Sequence, residues 1–223
     1  MGTMSKTVLS FGLTPGDIAM GCGGSLALLA NQGYKCVNVF SAYSGENLTT
    51  LAREAREAAG ILGVADVSFL LVEGGPDMFS REAMLKAARK IRKHQPERVF
   101  TFSSQDPAPD RYGLSCLVKT AVTAAADPGN PDLEGAPWRV ETVLGYEIKP
   151  PLQTFDLTMA IGQSIERKMR AIACYEGLLG RKVDQAMEGL ARYRGRMSRT
   201  GGAYAEVFEI LAGGHDPFRD WLD

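Results

Sequence analysis

Apolar runs alternate with amphipathic stretches through the first 126 residues. Lys6–Leu13 is largely apolar and predicts a buried first strand. The strand ends in a Pro15-Gly16 turn and the cluster Gly21-Cys22-Gly23-Gly24, ahead of a short apolar helix over Ser25–Asn31. Gly33 then stands in a C-cap position. Lys35–Ser41 alternates as a second strand, and Ala42–Asn47 is a loop at its end. Leu51–Gly63 is amphipathic: Leu51, Ala55, Ala58, Ala59 and Leu62 share one face, and Arg53, Glu54, Arg56 and Glu57 the other.

Val67–Val72 reads as the third strand. A helix capped by Ser80 runs to His94, acidic at its start and basic at its end, with Pro96 as its stop. Arg98–Ser103 is strand four, Gln105–Tyr112 a loop, and Gly113–Ala126 the next helix. A Pro- and Gly-rich loop over Asp127–Pro137 leads to strand five, Val140–Ile148. Further helices are expected over about Ile161–Gly180 and from near Asp184, with Tyr204–Leu211 as a helix or the end of one.

Strands alternating with helices require crossover connections. The expected fold is therefore α/β, a three-layer αβα sandwich around a Rossmann-like, mostly parallel sheet, as one domain over residues 1–223. Met1-Gly2-Thr3 ahead of Met4 reads as a vector remnant, residues 1–5 as outside the fold, and 214–223 as a tail. Ligands in such folds sit at the C-terminal strand ends. The loops that meet there are Thr14–Asp17, Ala42–Asn47 and Gln105–Tyr112.

Composition narrows the function. A net charge of −1 without a basic stripe gives no reason to expect nucleic acid or a membrane surface as partner. No apolar run reaches spanning length and no signal peptide is visible, so a cytoplasmic protein is expected. Cys22, Cys36, Cys116 and Cys174 form no C-x-x-C pair or zinc knuckle and read as reduced thiols. Glycine spacing after strand one does not fit a dinucleotide fingerprint, strand two ends without an acid, and there is no P-loop. The bland reading of the glycine cluster is close packing of a helix start on the sheet. Thr14 and Ser10 carry hydroxyls, but no His is near to activate them.

The stretch G-C-G-G-S-L-A-L-L after strand one resembles the LmbE-like (PIG-L) N-deacetylase family. So do Arg53–Ala59 with Leu62-Gly63-Val64, Gln95–Phe100, Gly145–Ile148 with Pro151-Leu152, and Tyr193-Arg194-Gly195 with Tyr204–Phe208. The resemblance covers nearly the whole chain. It implies a zinc-dependent hydrolase acting on N-acyl amino sugars. The family's A-H-P-D-D-E loop supplies two zinc ligands and a general base, and its H-P-D-H supplies an oxyanion-stabilising His and the third ligand. Here Leu13-Thr14-Pro15-Gly16-Asp17-Ile18 stands in the first place and Ala108-Pro109-Asp110-Arg111 in the second. Thr14 thus replaces a ligand His, Gly16 the base and Arg111 the last ligand, while Asp17 alone remains. Ser44 takes the place of an Asp, and Gly177-Leu178 that of the family's S-Q.

Both histidines lie elsewhere: His94 at a helix end, where capping is expected, and His215 in the tail. A guanidinium does not deprotonate and opposes a dication. The expectation is therefore a catalytically degenerate, zinc-free protein without catalytic or metal residues or a cofactor. Its ligand pocket would comprise Thr14, Gly16, Asp17, Tyr43, Ser44, Glu46, Asp106, Asp110, Arg111 and Tyr112. It would hold a sugar-like or small polar ligand, or the protein would serve another as a partner; the resemblance adds a homo-oligomer. The alternatives are an active N-deacetylase with a rebuilt metal site using zinc on Asp17, or a metal-independent reaction in the same pocket. An Asp17–Arg111 ion pair is expected across the old metal position, the other outcome being an Arg111 that points to solvent.

Overall fold

The computed structural model describes residues 6–43, 48–72, 80–175, 182–198 and 202–213. Seven strands form one sheet: β1 (Thr7–Gly12), β2 (Lys35–Tyr43), β3 (Asp66–Val72), β4 (Arg98–Phe102), β5 (Thr142–Tyr146), β6 (Leu157–Ala160) and β7 (Ala205–Ala212). Their order is β3-β2-β1-β4-β5-β7-β6. The first five are parallel, and β7 runs antiparallel to both β5 and β6. The helices are α1 (Pro15–Asn31), α2 (Leu48–Leu62), α3 (Arg81–His94), α4 (Pro109–Ala126), α5 (Ile165–Ala173) and α6 (Val183–Met197). Helices α1, α2 and α5 pack together, α6 lies on α5 and β7, and α3 packs on α4. This is the expected three-layer α/β architecture. Chain direction across the sheet reverses between β1 and β4, so their C-terminal ends flank a switch-point crevice.

The main departure from the sequence reading is α1. The glycine cluster is not a loop ahead of a helix but part of a helix that starts at Pro15. Thr14 is its N-cap and Pro15 supplies a preset φ at the first position. Two close approaches explain the glycines. A Cβ on Gly21 would lie 2.2 Å from Cδ2 of Tyr146, and one on Gly24 would lie 2.7 Å from Cδ1 of Ile161. The helix breaks at Cys22 (φ −137°, ψ 15°). Its second half is capped from a distance: the buried Glu206 of β7 accepts from Gly24 N at 2.9 Å, Ser25 N at 2.8 Å and the Ser25 hydroxyl. Lys168 of α5 closes the group at 2.6 Å.

Other boundaries shift for tertiary reasons. Tyr204–Leu211, expected as helix, is strand β7. Its apolar residues Val207, Phe208, Ile210 and Leu211 fit a helical stripe, yet pairing on both sides buries both faces at Ala205–Phe208, a pattern short periodicity does not resolve. The helix expected over about Ile161–Gly180 begins at Ile165, after the short edge strand β6, and ends at Ala173, while 176–180 lie outside the described residues. Helix α4 begins at Pro109, which converts the second half of the expected Gln105–Tyr112 loop into its first turn. Ser80 caps α3 as expected, accepting from Ala83 N at 3.1 Å. His94 does not make the expected cap. Gln95, in left-handed backbone (φ 49°), closes α3 onto Ile91 O, and His94 Nε2 is buried without a hydrogen-bond partner among the described residues.

All four cysteines are free, and burial pushes the Cys36 thiol up to about 12. Among the described residues, no helix is long and apolar enough to cross a membrane.

Candidate functional site

The crevice between β1 and β4 is built from two helix starts. At the first turn of α1, the Asp17 carboxylate turns back on Thr14: Oδ2 accepts from Thr14 N at 2.7 Å and from Thr14 Oγ1 at 2.8 Å. This is the reverse half of a capping box, and it employs one carboxylate oxygen fully in holding the loop. The other oxygen, Oδ1, lies 3.5 Å from Arg111 Nη2. Gly16 is buried in the same turn.

Arg111 projects from the first turn of α4. Its Nη1 lies 3.5 Å from Asp106 Oδ2 and 3.4 Å from the Lys149 carbonyl oxygen, and its guanidinium carbon is 5.4 Å from the centroid of the Phe102 ring. The cation is thus stacked on β4 and held between two buried carboxylates, one from each side of the crevice. Asp106 is fixed by accepting from Ala108 N at 3.0 Å. Burial raises the Asp17 carboxyl from its ordinary value, and the Thr14 hydrogen bonds and Arg111 act against that rise. Burial also lifts the Tyr146 phenol well above its ordinary value, with the Asp17 charge adding to it.

The residues expected in the pocket divide as follows. Thr14, Gly16, Asp17, Asp106 and Arg111 come together, joined by the expected ion pair. Asp110 is exposed on the same helix turn and accepts from Arg111 N at 2.9 Å. Tyr112 is 46% exposed, and its polar partner is Cys116 one turn further on. Tyr43 ends β2, while Ser44 and Glu46 lie outside the described residues.

Sequence reasoning missed the far wall. A cavity of about 60 Å³ beside Asp106 is lined by Ser103, Gln105, Tyr146, Glu147 and residues 150–153. Glu147 is anchored by Arg194 of α6 through two contacts, at 3.0 and 2.7 Å, and accepts from Leu152 N. The segments carrying these residues contributed to the family resemblance, but their mutual contact is not encoded in any local spacing. A larger open groove of about 730 Å³, lined by Val122, Ala126, Val140 and Gly213 among others, lies at the opposite end of β5.

These residues do not fit a zinc ion. A structural or catalytic zinc takes at least three N, O or S ligands from the protein. Here a guanidinium lies between the two carboxylates, one oxygen of Asp17 is committed to Thr14, and among the described residues no group of three His, Cys, Asp or Glu is placed to hold a metal.

A family model described as PIG-L: GlcNAc-PI de-N-acetylase matches residues 15–122, from the start of α1 into α4. A conserved protein of Thermus thermophilus is similar in structure, with a TM-score of 0.84, 27% identity, and coverage of 95% of this chain and 97% of that one. The 4-carboxy-2-hydroxymuconate hydratase of Pseudomonas putida shares the fold at TM-score 0.81 and 23% identity, covering 94% of this chain and 98% of its own. The N,N'-diacetylchitobiose deacetylase of Pyrococcus horikoshii does so at 0.78 and 22%, covering 98% and 89%.

Proposed function

We propose that this chain, for which the family match and the structural neighbours support a place among the PIG-L/LmbE-like proteins, works without zinc and does not hydrolyse N-acyl amino sugars. Its switch-point crevice serves as a binding site for a sugar-like or other small polar ligand. The observation that carries this reading is the Arg111 guanidinium, 3.5 Å from both Asp17 and Asp106. Hydrolysis of an unactivated amide needs a polarised carbonyl and an activated water. The crevice as described offers no general base in the place of Gly16, and a fixed monocation in place of a Lewis acid. What remains is a polar concavity at the fold's customary ligand position.

Elemental analysis of protein purified without chelator, combined with an acetate-release assay on N-acetylglucosamine conjugates, tests this. Substoichiometric zinc and no turnover above blank are expected. Stoichiometric zinc with turnover would overturn the proposal in favour of a hydrolase with a rebuilt metal site.

A further inference from the structure

We infer that the crevice selects its ligand by charge and hydrogen-bonding sense, taking an ammonium-bearing polyol in preference to its neutral or phosphorylated analogue. The inference rests on the crevice being a ligand site, as proposed above, and deepens it.

Two independent observations carry it. The first is a census of donors around the 60 Å³ cavity. The Ser103 hydroxyl donates to Glu209 at 2.5 Å, the Tyr146 hydroxyl to the Phe11 carbonyl at 2.8 Å, and Gln105 Nε2 to the Thr154 carbonyl at 2.9 Å. Among backbone groups, Gln105 N donates to Ser103 Oγ, Asp106 N to the Ser103 carbonyl and Leu152 N to Glu147, while Pro150 and Pro151 have no N–H. Most of these donors are thus turned into the protein, the exception being the exposed Gln153, whose Nε2 lies 3.4 Å from the Pro151 carbonyl oxygen. Among the described residues, acceptors are left over. Asp106 takes one short bond, from Ala108 N, and one long contact from Arg111, against about four lone-pair sites on an ionised carboxylate. Such a lining favours a group that only donates over one that only accepts.

The second observation is the disposition of charge. Two buried carboxylates share one guanidinium, which leaves the Asp17–Arg111–Asp106 group one unit negative. The neighbouring Glu147–Arg194 pair is balanced. Arg111 is not free to compensate an anion: one face rests on Phe102, and its Nη atoms address Asp17, Asp106 and the Lys149 carbonyl. A phosphate would have to pull it from those partners. A primary ammonium would instead find Asp106 directly, in a cavity of a size suited to it.

Titration of the purified protein with glucose, glucosamine and glucose 6-phosphate, followed by NMR or calorimetry at a pH where the amine is protonated, tests the inference. Glucosamine is expected to bind about tenfold more tightly than glucose, as a charge-assisted hydrogen bond implies. Glucose 6-phosphate is expected to bind weakest. Asp106→Asn should bring glucosamine and glucose level. Raised salt on the unaltered protein should narrow the same gap, which covers the case of a variant that fails to fold. Equal binding of glucose and glucosamine, tightest binding of the phosphate, or an amine preference indifferent to both salt and Asp106→Asn would overturn the inference while leaving a ligand site in place. Binding of none of the three would overturn the ligand-site reading itself.

Discussion

The break in α1 depends on Glu206, and its replacement makes a quantitative test of how the crevice is held. Glu206 is 4% exposed and accepts from two backbone amides, one hydroxyl and the Lys168 ammonium, which is itself 3% exposed. Glu206→Gln keeps the shape but removes the charge and turns one acceptor into a donor. It leaves a buried ammonium without its counterion, a loss of about 3–5 kcal/mol. For a domain of this size each kcal/mol corresponds to roughly 2–4 °C, so Tm should fall by about 6–20 °C. Urea unfolding of the unaltered protein, Glu206→Gln, Lys168→Met and the double variant completes a mutant cycle. The double variant should lose less than the sum of the singles, by about 1–3 kcal/mol, because it strands no charge. In Glu206→Gln, hydrogen exchange should also accelerate at the Gly24 and Ser25 amides more than in β1. A loss below about 1 kcal/mol in Glu206→Gln, or strictly additive singles, would refute the assignment of Glu206 as the cap that fixes the bend.

Two further outcomes are expected. Gly21→Ala improves intrinsic helix propensity by about 1 kcal/mol, yet it should destabilise by about 1–3 kcal/mol, because its Cβ would meet the buried Tyr146 ring at 2.2 Å; chemical unfolding measures the sign. Burial, with Lys93, Lys35 and Lys90 adding and Asp66 opposing, holds the His94 imidazole below its ordinary value. The unfolded chain therefore takes up the proton first, and stability should fall as pH drops below about 6.5; the fall should be shallower in His94→Gln when urea midpoints are compared at neutral and mildly acidic pH.

How much of this is legible in the sequence follows from the range of the interactions. Elements governed by local rules are readable: the amphipathic α2, the Ser80 cap of α3, and the strand–helix alternation that implies a parallel sheet. The start of α1 is not, because glycine argues locally against helix, and the compensation comes from Tyr146, Ile161 and Glu206, far away in the chain. Strand β7 reads wrongly as helix because a charged residue, Glu206, sits on a segment buried on both faces and interrupts the continuous apolar run that would signal such a strand; its partner Lys168 is 38 residues away. The Asp17–Arg111 pair is accessible through the resemblance, which implies that both positions fall at one metal site. The donor state of the adjacent cavity is not, because Ser103 is claimed by Glu209 across 106 residues and Tyr146 by Phe11 across 135.

The placement of Arg111 has its own physical logic. A cation in the first turn of a helix opposes the macrodipole, at a cost of some tenths to about 1 kcal/mol, so helix α4 alone gives no reason for it. The Phe102 ring and the carboxylates of Asp106 and Asp17 provide that reason. Asp17 in turn needs no metal to be ordered, since Thr14 engages one of its oxygens twice. Guanidinium and carboxylates therefore form a self-sufficient arrangement that holds the two helix starts together across the crevice. A dication would have to displace Arg111 from three partners to enter it, whereas a donor such as an ammonium group can be accommodated beside Asp106 with that arrangement intact.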